Sequence, residues 1–246
     1  MTGHSTPPTS DLTVSDRVAD AARQLADEPT LDQTLQSIVN LAVEMVEGCS
    51  AAGITHVLGR EITTTAATDP GVRIGDRLQY ELDEGPCLDA VRAHEVVHSS
   101  DIVSDERWPR WAPAVDAKIG VKSMLAVQLY TSETTHGALN LYSTDVDAFT
   151  PTDISLAASF AAVAAAAIQA AQTEEQLTSA VLSRTVIGQA QGIVMERFGL
   201  SAENAFSVLS RLSQDSNTKL VQVAQEIVST RRLPGTSSDA GSPGRG

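Results

Sequence analysis

The sequence predicts an α+β fold in which helices flank an antiparallel sheet, followed by a long connecting helix and a small all-helical unit. Three observations carry this prediction. Apolar residues recur at threes and fours, switch to alternation after residue 50, and return to threes and fours after residue 150. Turn and cap residues fall at those switches. A chain of 246 residues, 42% of them hydrophobic, is long for one compact domain and comfortable for two.

Ser15 to Glu28 places apolar residues at Val18, Ala22, Leu25 and Ala26, a helical spacing that Pro29 ends. Leu31, Leu35, Ile38, Leu41, Ala42 and Met45 continue the pattern in a second helix closed by Gly48. Ala51 to Leu58 and Glu61 to Ala66 then read as two strands joined by a hairpin turn at Gly59-Arg60. Further strands are expected at Val96 to Ser99, Ser123 to Tyr130 and Gly137 to Tyr142. The last two alternate as Met124/Ala126/Gln128/Tyr130 and Ala138/Asn140/Tyr142. Helical segments are expected around Leu78 to Leu82, Cys87 to Ala93 and Trp108 to Lys118. Helices, hairpin, helical insertion, strands and a closing helix make an α+β plan.

Thr150-Pro151-Thr152-Asp153 is a helix start, with Thr150 as N-cap, Pro151 at the first helical position and Asp153 in the first turn. No proline follows before Arg197, and the Ala-rich stretch Ala157 to Ala171 has high helix propensity. Such a helix would span on the order of 70 Å at about 1.5 Å per residue. Ile154, Ala158, Ala161, Ala165, Ile168, Ala171 and Leu177 form a narrow apolar seam along it. Near Ala157 that seam either packs on its own sheet or pairs with a second copy; beyond Ala171 little sheet is left to cover, and pairing is expected.

From Glu174 to Leu233 the chain reads as three short amphipathic helices. Their expected core faces are Ile187, Ala190 and Val194; then Ala205, Phe206, Leu209 and Leu212; then Leu220, Val223, Ala224, Ile227 and Val228. Phe198 is also expected in the core, and Gly188, Ala190 and Gly192 are expected to allow close helix packing. Arg184, Gln189, Gln191, Arg211, Asn217 and Lys219 are left as polar groups without a packing duty.

No apolar run is read as long enough to span a bilayer, and Met1 to Asp11 lacks the basic-then-apolar order of a signal peptide. The terminal segments 1–12 and 234–246 are expected to be disordered tails. With only Cys49 and Cys87 and no export signal, a reducing cytoplasm is expected rather than a disulfide framework. The net charge of -14 is unevenly spread. Residues 1–173 hold 10 Lys and Arg against 24 Asp and Glu, whereas Val181 to Leu233 hold 6 against 4. The C-terminal unit is thus weakly basic, enough for a contact with structured RNA but not for coating a duplex.

The string Arg184-Thr185-Val186-Ile187-Gly188-Gln189-Ala190-Gln191-Gly192-Ile193-Val194-Met195 is followed by Ala205-Phe206, Leu209, Ser213, Asn217, Lys219-Leu220 and Val223-Ala224. Together these resemble an ANTAR domain, the RNA-binding antitermination module of bacteria. The middle of the chain, roughly residues 30–170, resembles a GAF domain, a small-molecule sensor. That likeness rests on Asp83-Glu84-Gly85-Pro86-Cys87-Leu88-Asp89-Ala90, Asp105-Glu106-Arg107-Trp108-Pro109-Arg110-Trp111, Ser123 to Tyr130 and Gly137 to Tyr142. The expected domains are therefore 13–170, GAF-like with its N-terminal helices, and 171–233, ANTAR.

The resemblance implies a regulator that binds two small hairpins of a nascent leader RNA, so that an overlapping terminator does not form. It also implies a small-molecule ligand in the GAF domain, with the ligand's identity and any cofactor unknown. The narrow apolar seam of the long helix, together with the need to hold two RNA elements at once, predicts a homodimer. Arg and Lys would hold phosphates, while Gln and Asn amides read base edges in an unstacked loop. The expected RNA contacts are Arg184, Gln189, Gln191, Arg211, Asn217 and Lys219. The family frequently has Lys where this chain has Gln191, which removes a phosphate contact. Cys87, Trp108 and Trp111 are the candidates for lining a ligand pocket, and Cys87 sits at a helix start whose dipole could lower a thiol pKa.

The other constellations are weak. His94, Glu95 and His98 flank a helix-to-strand change, and no metal is expected there. No Gly-rich phosphate loop and no nucleophile–base pattern occurs, so no catalytic residue is assigned and the chain reads as a regulator rather than an enzyme. A sulfoxide reductase of GAF type would use several clustered cysteines. The alternative is a DNA-binding transcription factor with a GAF sensor. It would need a recognition helix with several basic residues, and the middle and last helices offer only Arg211 and Lys219 before Arg231-Arg232.

Overall fold

Thr13 opens the first helix through a capping box with Asp16, and α1 runs over Val14–Ala26; Thr30 caps α2, Leu31–Met45. The structure is a computed structural model and describes residues 13–58, 61–93, 96–131 and 135–233. The expected turn at Gly59-Arg60, the residues His94 and Glu95, and both expected tails lie outside the described residues.

Five strands follow the predicted switch to alternation: β1 Ala51–Leu58, β2 Glu61–Ala67, β3 Val96–Ser99, β4 Ser123–Tyr130 and β5 Thr135–Ser143. They form one antiparallel sheet in the order β2-β1-β5-β4-β3. Because neighbouring side chains point to opposite faces, each central strand feeds two cores. Leu125, Val127, Leu129, Leu139 and Leu141 face α1 and α2, whereas Met124, Ala126, Ala138 and Tyr142 face the helical insertion. β4 is consequently buried on both faces up to Tyr130.

The insertion holds α3 Pro70–Leu82, α4 Pro86–Ala93 and α5 Trp111–Ile119. α3 begins eight residues before the expected Leu78, because the Asp69 carboxylate caps the Gly71 amide and Pro70 takes the first helical position. α5 begins at Trp111 and not at Trp108, which precedes the turn through Pro109. Between α3 and α4, Asp83 is left-handed (φ 54) and Gly85 lies at φ 135, where an added Cβ would stand 2.2 Å from Gln79 Oε1. Only glycine fits that step.

The helix expected at Thr150 is α6, Pro151–Phe198, 48 residues long. A reciprocal cap starts it: Asp153 Oδ2 accepts from the Thr150 amide at 3.0 Å, and Thr150 Oγ1 accepts from the Asp153 amide at 3.2 Å. The first of the three expected short C-terminal helices is therefore the end of this long one. α6 is also long and apolar enough, by length and composition, to cross a membrane, which corrects the reading that no such run exists. In the fold, Leu156, Ala157, Phe160, Ala161, Ala164, Ala165 and Ile168 are buried in the same core as α1 and α2. Near Ala157 the seam thus packs on its own domain. From Thr173 through Leu182 every residue is exposed.

The chain divides into two compact units that meet between Thr173 and Glu174. The second unit contains the end of α6 with α7 Ala202–Asp215 and α8 Leu220–Thr230. Its core is Ala190, Val194, Ala205, Leu209, Val223, Ala224 and Ile227.

Candidate nucleic-acid interface and the buried polar cluster

Helical spacing sets the C-terminal surface. Ala190 and Val194 on α6, Ala205 and Leu209 on α7, and Val223, Ala224 and Ile227 on α8 sit three and four apart and close on one another. What lies about 100° away from those positions is left outside. Arg184, Gln189, Arg211, Asn217 and Lys219 are exposed, and Gln191 is half-buried. Gln191 has a structural bond: its Nε2 donates to the Ala202 carbonyl oxygen at 2.6 Å, tying α6 to the start of α7. Asn217 is left-handed (φ 49) in the α7–α8 turn, and Lys219 is the N-cap residue of α8.

Two expectations for this unit are corrected. Phe198 and Phe206, read as core, are 49% and 44% exposed. Phe206 follows Ala205, which takes the inward position, and Phe198 is the last residue of α6 before the left-handed Gly199. Gly188 and Gly192 do not serve close packing either, since an added Cβ at either would meet nothing within 4 Å. Ala190, between them, is fully buried.

The fold also gathers three arginines that the sequence reading counted only as charge. α7 leads away from the end of α6 and α8 returns to it. There Arg197 Nη1 donates to the Arg231 carbonyl oxygen at 2.5 Å, and Arg232 follows. No ion pair involves Arg197, Arg231 or Arg232 among the described residues. Spacing in the sequence gave no sign of this corner, because Arg197 and Arg231 stand 34 positions apart.

In the first unit the candidate pocket residues Cys87, Trp108 and Trp111 are buried together. Trp108 Nε1 donates to Asp89 at 2.8 Å, Trp111 Nε1 donates to the Gly75 carbonyl at 3.2 Å, and the two indoles meet edge to face at 5.8 Å. Glu84 accepts from the Arg110 and Trp111 amides and from Arg110 Nε, which holds its carboxyl below the usual range. These bonds lock the Asp83–Ala90 and Asp105–Trp111 passages to each other. The Cys87 thiol is not activated by its helix start: burial pushes it up to about 12.

Next to Cys87 lies a buried polar cluster whose other members the sequence reading did not single out as site residues. Asp76 on α3 accepts from the Tyr142 hydroxyl, from Asn140 Nδ2 at 2.9 Å and from Thr64 Oγ1 at 2.8 Å. Thr55 Oγ1 stands 2.7 Å from the Tyr80 hydroxyl and accepts from Cys87 Sγ at 3.2 Å. Burial raises the Asp76 carboxyl to about 6 against the lowering effect of these bonds. Asn140 Oδ1 has no partner among the described residues. His98 Nε2 is likewise buried without one among the described residues, and burial lowers the pKa of its imidazole. Among the described residues no three His, Cys, Asp or Glu gather as metal ligands.

A GAF domain family model matches residues 28–169 and an ANTAR domain model matches residues 175–228. No curated protein matches the chain. Among solved structures, the GAF domain of a phosphoenolpyruvate-protein phosphotransferase from Acinetobacter is 15% identical, with 66% of this chain and 97% of that one covered at a TM-score of 0.52. The corresponding GAF domain from Coxiella burnetii is 14% identical, with 66% and 96% covered and a TM-score of 0.54. A free methionine-R-sulfoxide reductase from Neisseria meningitidis is 16% identical, with 70% and 97% covered and a TM-score of 0.53. At such identities the likeness concerns the fold.

Proposed function

The chain belongs to the GAF domain family and carries an ANTAR domain behind it, and from that premise we propose that it is an RNA-binding transcription antitermination regulator. The GAF domain takes up a small-molecule signal and controls the helical unit, which binds two hairpins of a nascent leader and prevents an overlapping terminator from forming. The protein works in the cytoplasm as a homodimer and not as an enzyme. The observation that carries this reading is the ANTAR match over residues 175–228, on a three-helix unit whose Arg184, Gln189, Arg211, Asn217 and Lys219 side chains are all exposed.

Arg184, Arg211 and Lys219 hold phosphates, and Gln189 and Asn217 read base edges; Gln191 serves chiefly as the tie to α7. If each unit neutralises about two or three phosphates, the slope of log affinity against log salt is about -0.7 per contact, doubled on a two-hairpin target. Dimerisation uses the exposed part of α6, where Leu177 and Val181, one turn apart, are 64% and 62% exposed. Joining two weak sites adds orders of magnitude through effective concentration.

Readthrough of a terminator in purified transcription, on a two-hairpin leader, is the decisive test. Increased readthrough with the wild-type protein is expected. Arg184→Ala and Lys219→Ala should reduce it and flatten the salt slope by roughly 0.7 each. Equal binding to the leader and to its duplex DNA copy at the same salt would defeat the RNA reading, and binding without readthrough would defeat antitermination.

A further inference from the structure

The last turns of α6 and the end of α8 leave an open groove lined by Gln189, Gly192, Ile193, Glu196, Arg197 and Arg231. Its floor is apolar: Ile193 is half-buried against the core of the unit, and beyond the adjoining backbone of α6 no atom stands within 4 Å of where a Gly192 Cβ would be. Its lining includes Arg197 and Arg231, whose segments are joined by the Arg197 Nη1 bond to the Arg231 carbonyl oxygen; Arg232 follows in the chain, and none of the three has an ion-pair partner among the described residues. Gathering like charges at one corner is unfavourable until an anion meets them. Phe198, 49% exposed, follows Arg197 at the same end of α6.

We propose that this groove is a nucleotide site that receives one unpaired base of an RNA loop. The inference rests on the RNA-binding reading above and assigns it a surface separate from Arg184 and Lys219. The base lies over Gly192 on the apolar floor, and Arg197 and Arg231 take its flanking phosphates. Phe198 offers its ring to a neighbouring base. Glu196 is the discriminating group. A carboxylate repels a polyanion, so its place in a phosphate-facing groove is favourable only where a base edge presents N–H donors to it. Gln189, with a donor and an acceptor, completes the reading of that edge.

The test uses the full chain and a pool of short-loop RNA hairpins with randomised loop bases, measured by fluorescence anisotropy and by sequencing the bound fraction. Gly192→Leu fills the groove with a good helix former and should lower affinity at least about tenfold, with a melting temperature no lower than wild type and sedimentation unchanged. Arg231→Gln keeps the backbone carbonyl that Arg197 needs; it should weaken binding several-fold and flatten the salt slope by about 0.7. Glu196→Gln should leave the best loop bound within about threefold while the bound pool loses its base preference at one loop position. Wild-type binding unaltered by all three changes would overturn the groove and leave RNA binding by Arg184 and Lys219 standing. A changed sedimentation of Gly192→Leu with unaltered RNA binding would make the groove a contact between copies, and would overturn it as well. No RNA bound by the wild-type chain would remove the reading beneath it, and the groove with it.

Discussion

Asp76 is a fully buried carboxyl whose hydrogen-bonding partners are all neutral: Tyr142, Asn140 and Thr64. Its carboxyl is raised from 3.8 to about 6, so the folded state holds a proton that the unfolded chain gives up sooner. The resulting contribution to stability is complete below 3.8 and is lost as pH rises through 6, a change of about 3 kcal/mol. Asp105, lowered to about 2 by its bonds to Arg107 and Ser99, acts in the opposite sense: its contribution is present above 3.8 and lost as pH falls toward 2. Comparison with Asp76→Asn isolates the first effect. That variant should gain on wild type by about 3 kcal/mol between pH 4 and pH 8 in urea unfolding, whereas Asp76→Ala, which strands the Tyr142 hydroxyl and the Asn140 amide, should cost about 2–4 kcal/mol. A gain independent of pH would show that Asp76 does not hold the proton. None of this was legible in the sequence, because Asp76 between Arg73 and Arg77 reads as a solvated helix face. The opposite error befell Phe198 and Phe206: an aromatic residue reads as core until its neighbours fix which way the helix turns.

At the scale of elements, the cap residues and the switches of period were the legible part. Thr150 was read as a helix start, and Thr13 and Thr30, which were not singled out, start helices in the same way: their hydroxyls accept from amides that the helix cannot satisfy, and this depends on sequence neighbours alone. All five strands were placed to within two residues because alternation, too, is local. The start of α3 was missed, although Asp69-Pro70 carries the cap signal, because the apolar residues behind it are sparse. Which glycines serve packing is not local, and Gly188 and Gly192 show it. Both sit inside α6 facing open space, so each lowers helix stability without a compensating contact in its own unit. Gly188→Ala and Gly192→Ala should each stabilise the helical unit by about 0.5–1 kcal/mol in thermal unfolding. Destabilisation by either would mean that the glycine is covered in the folded protein.

For the molecule as a whole, the deciding stretch is Thr173 to Leu182, exposed throughout and apolar at Leu177, Val181 and Leu182. A helix segment of this kind is held by propensity alone unless something covers it, and short isolated helices are marginal in water. The proposed cover is the same segment of a second copy. Leu177→Glu with Val181→Glu places four like charges across that seam and should give a monomer in sedimentation at micromolar concentration. Both units should keep their melting behaviour, since neither residue belongs to the core of either unit. Affinity for a single hairpin should then stay within about twofold, while affinity for the two-hairpin leader falls by about 10²-fold or more as the second contact ceases to be intramolecular. Arg184 lies one turn beyond Val181 on the same helix. Arg184→Ala should therefore weaken both RNAs without changing the mass, which separates a phosphate contact from a seam residue. A dimer that survives the double substitution, or a two-hairpin affinity that does not depend on the mass, would place the joining surface elsewhere and leave Leu177 and Val181 without a role in it.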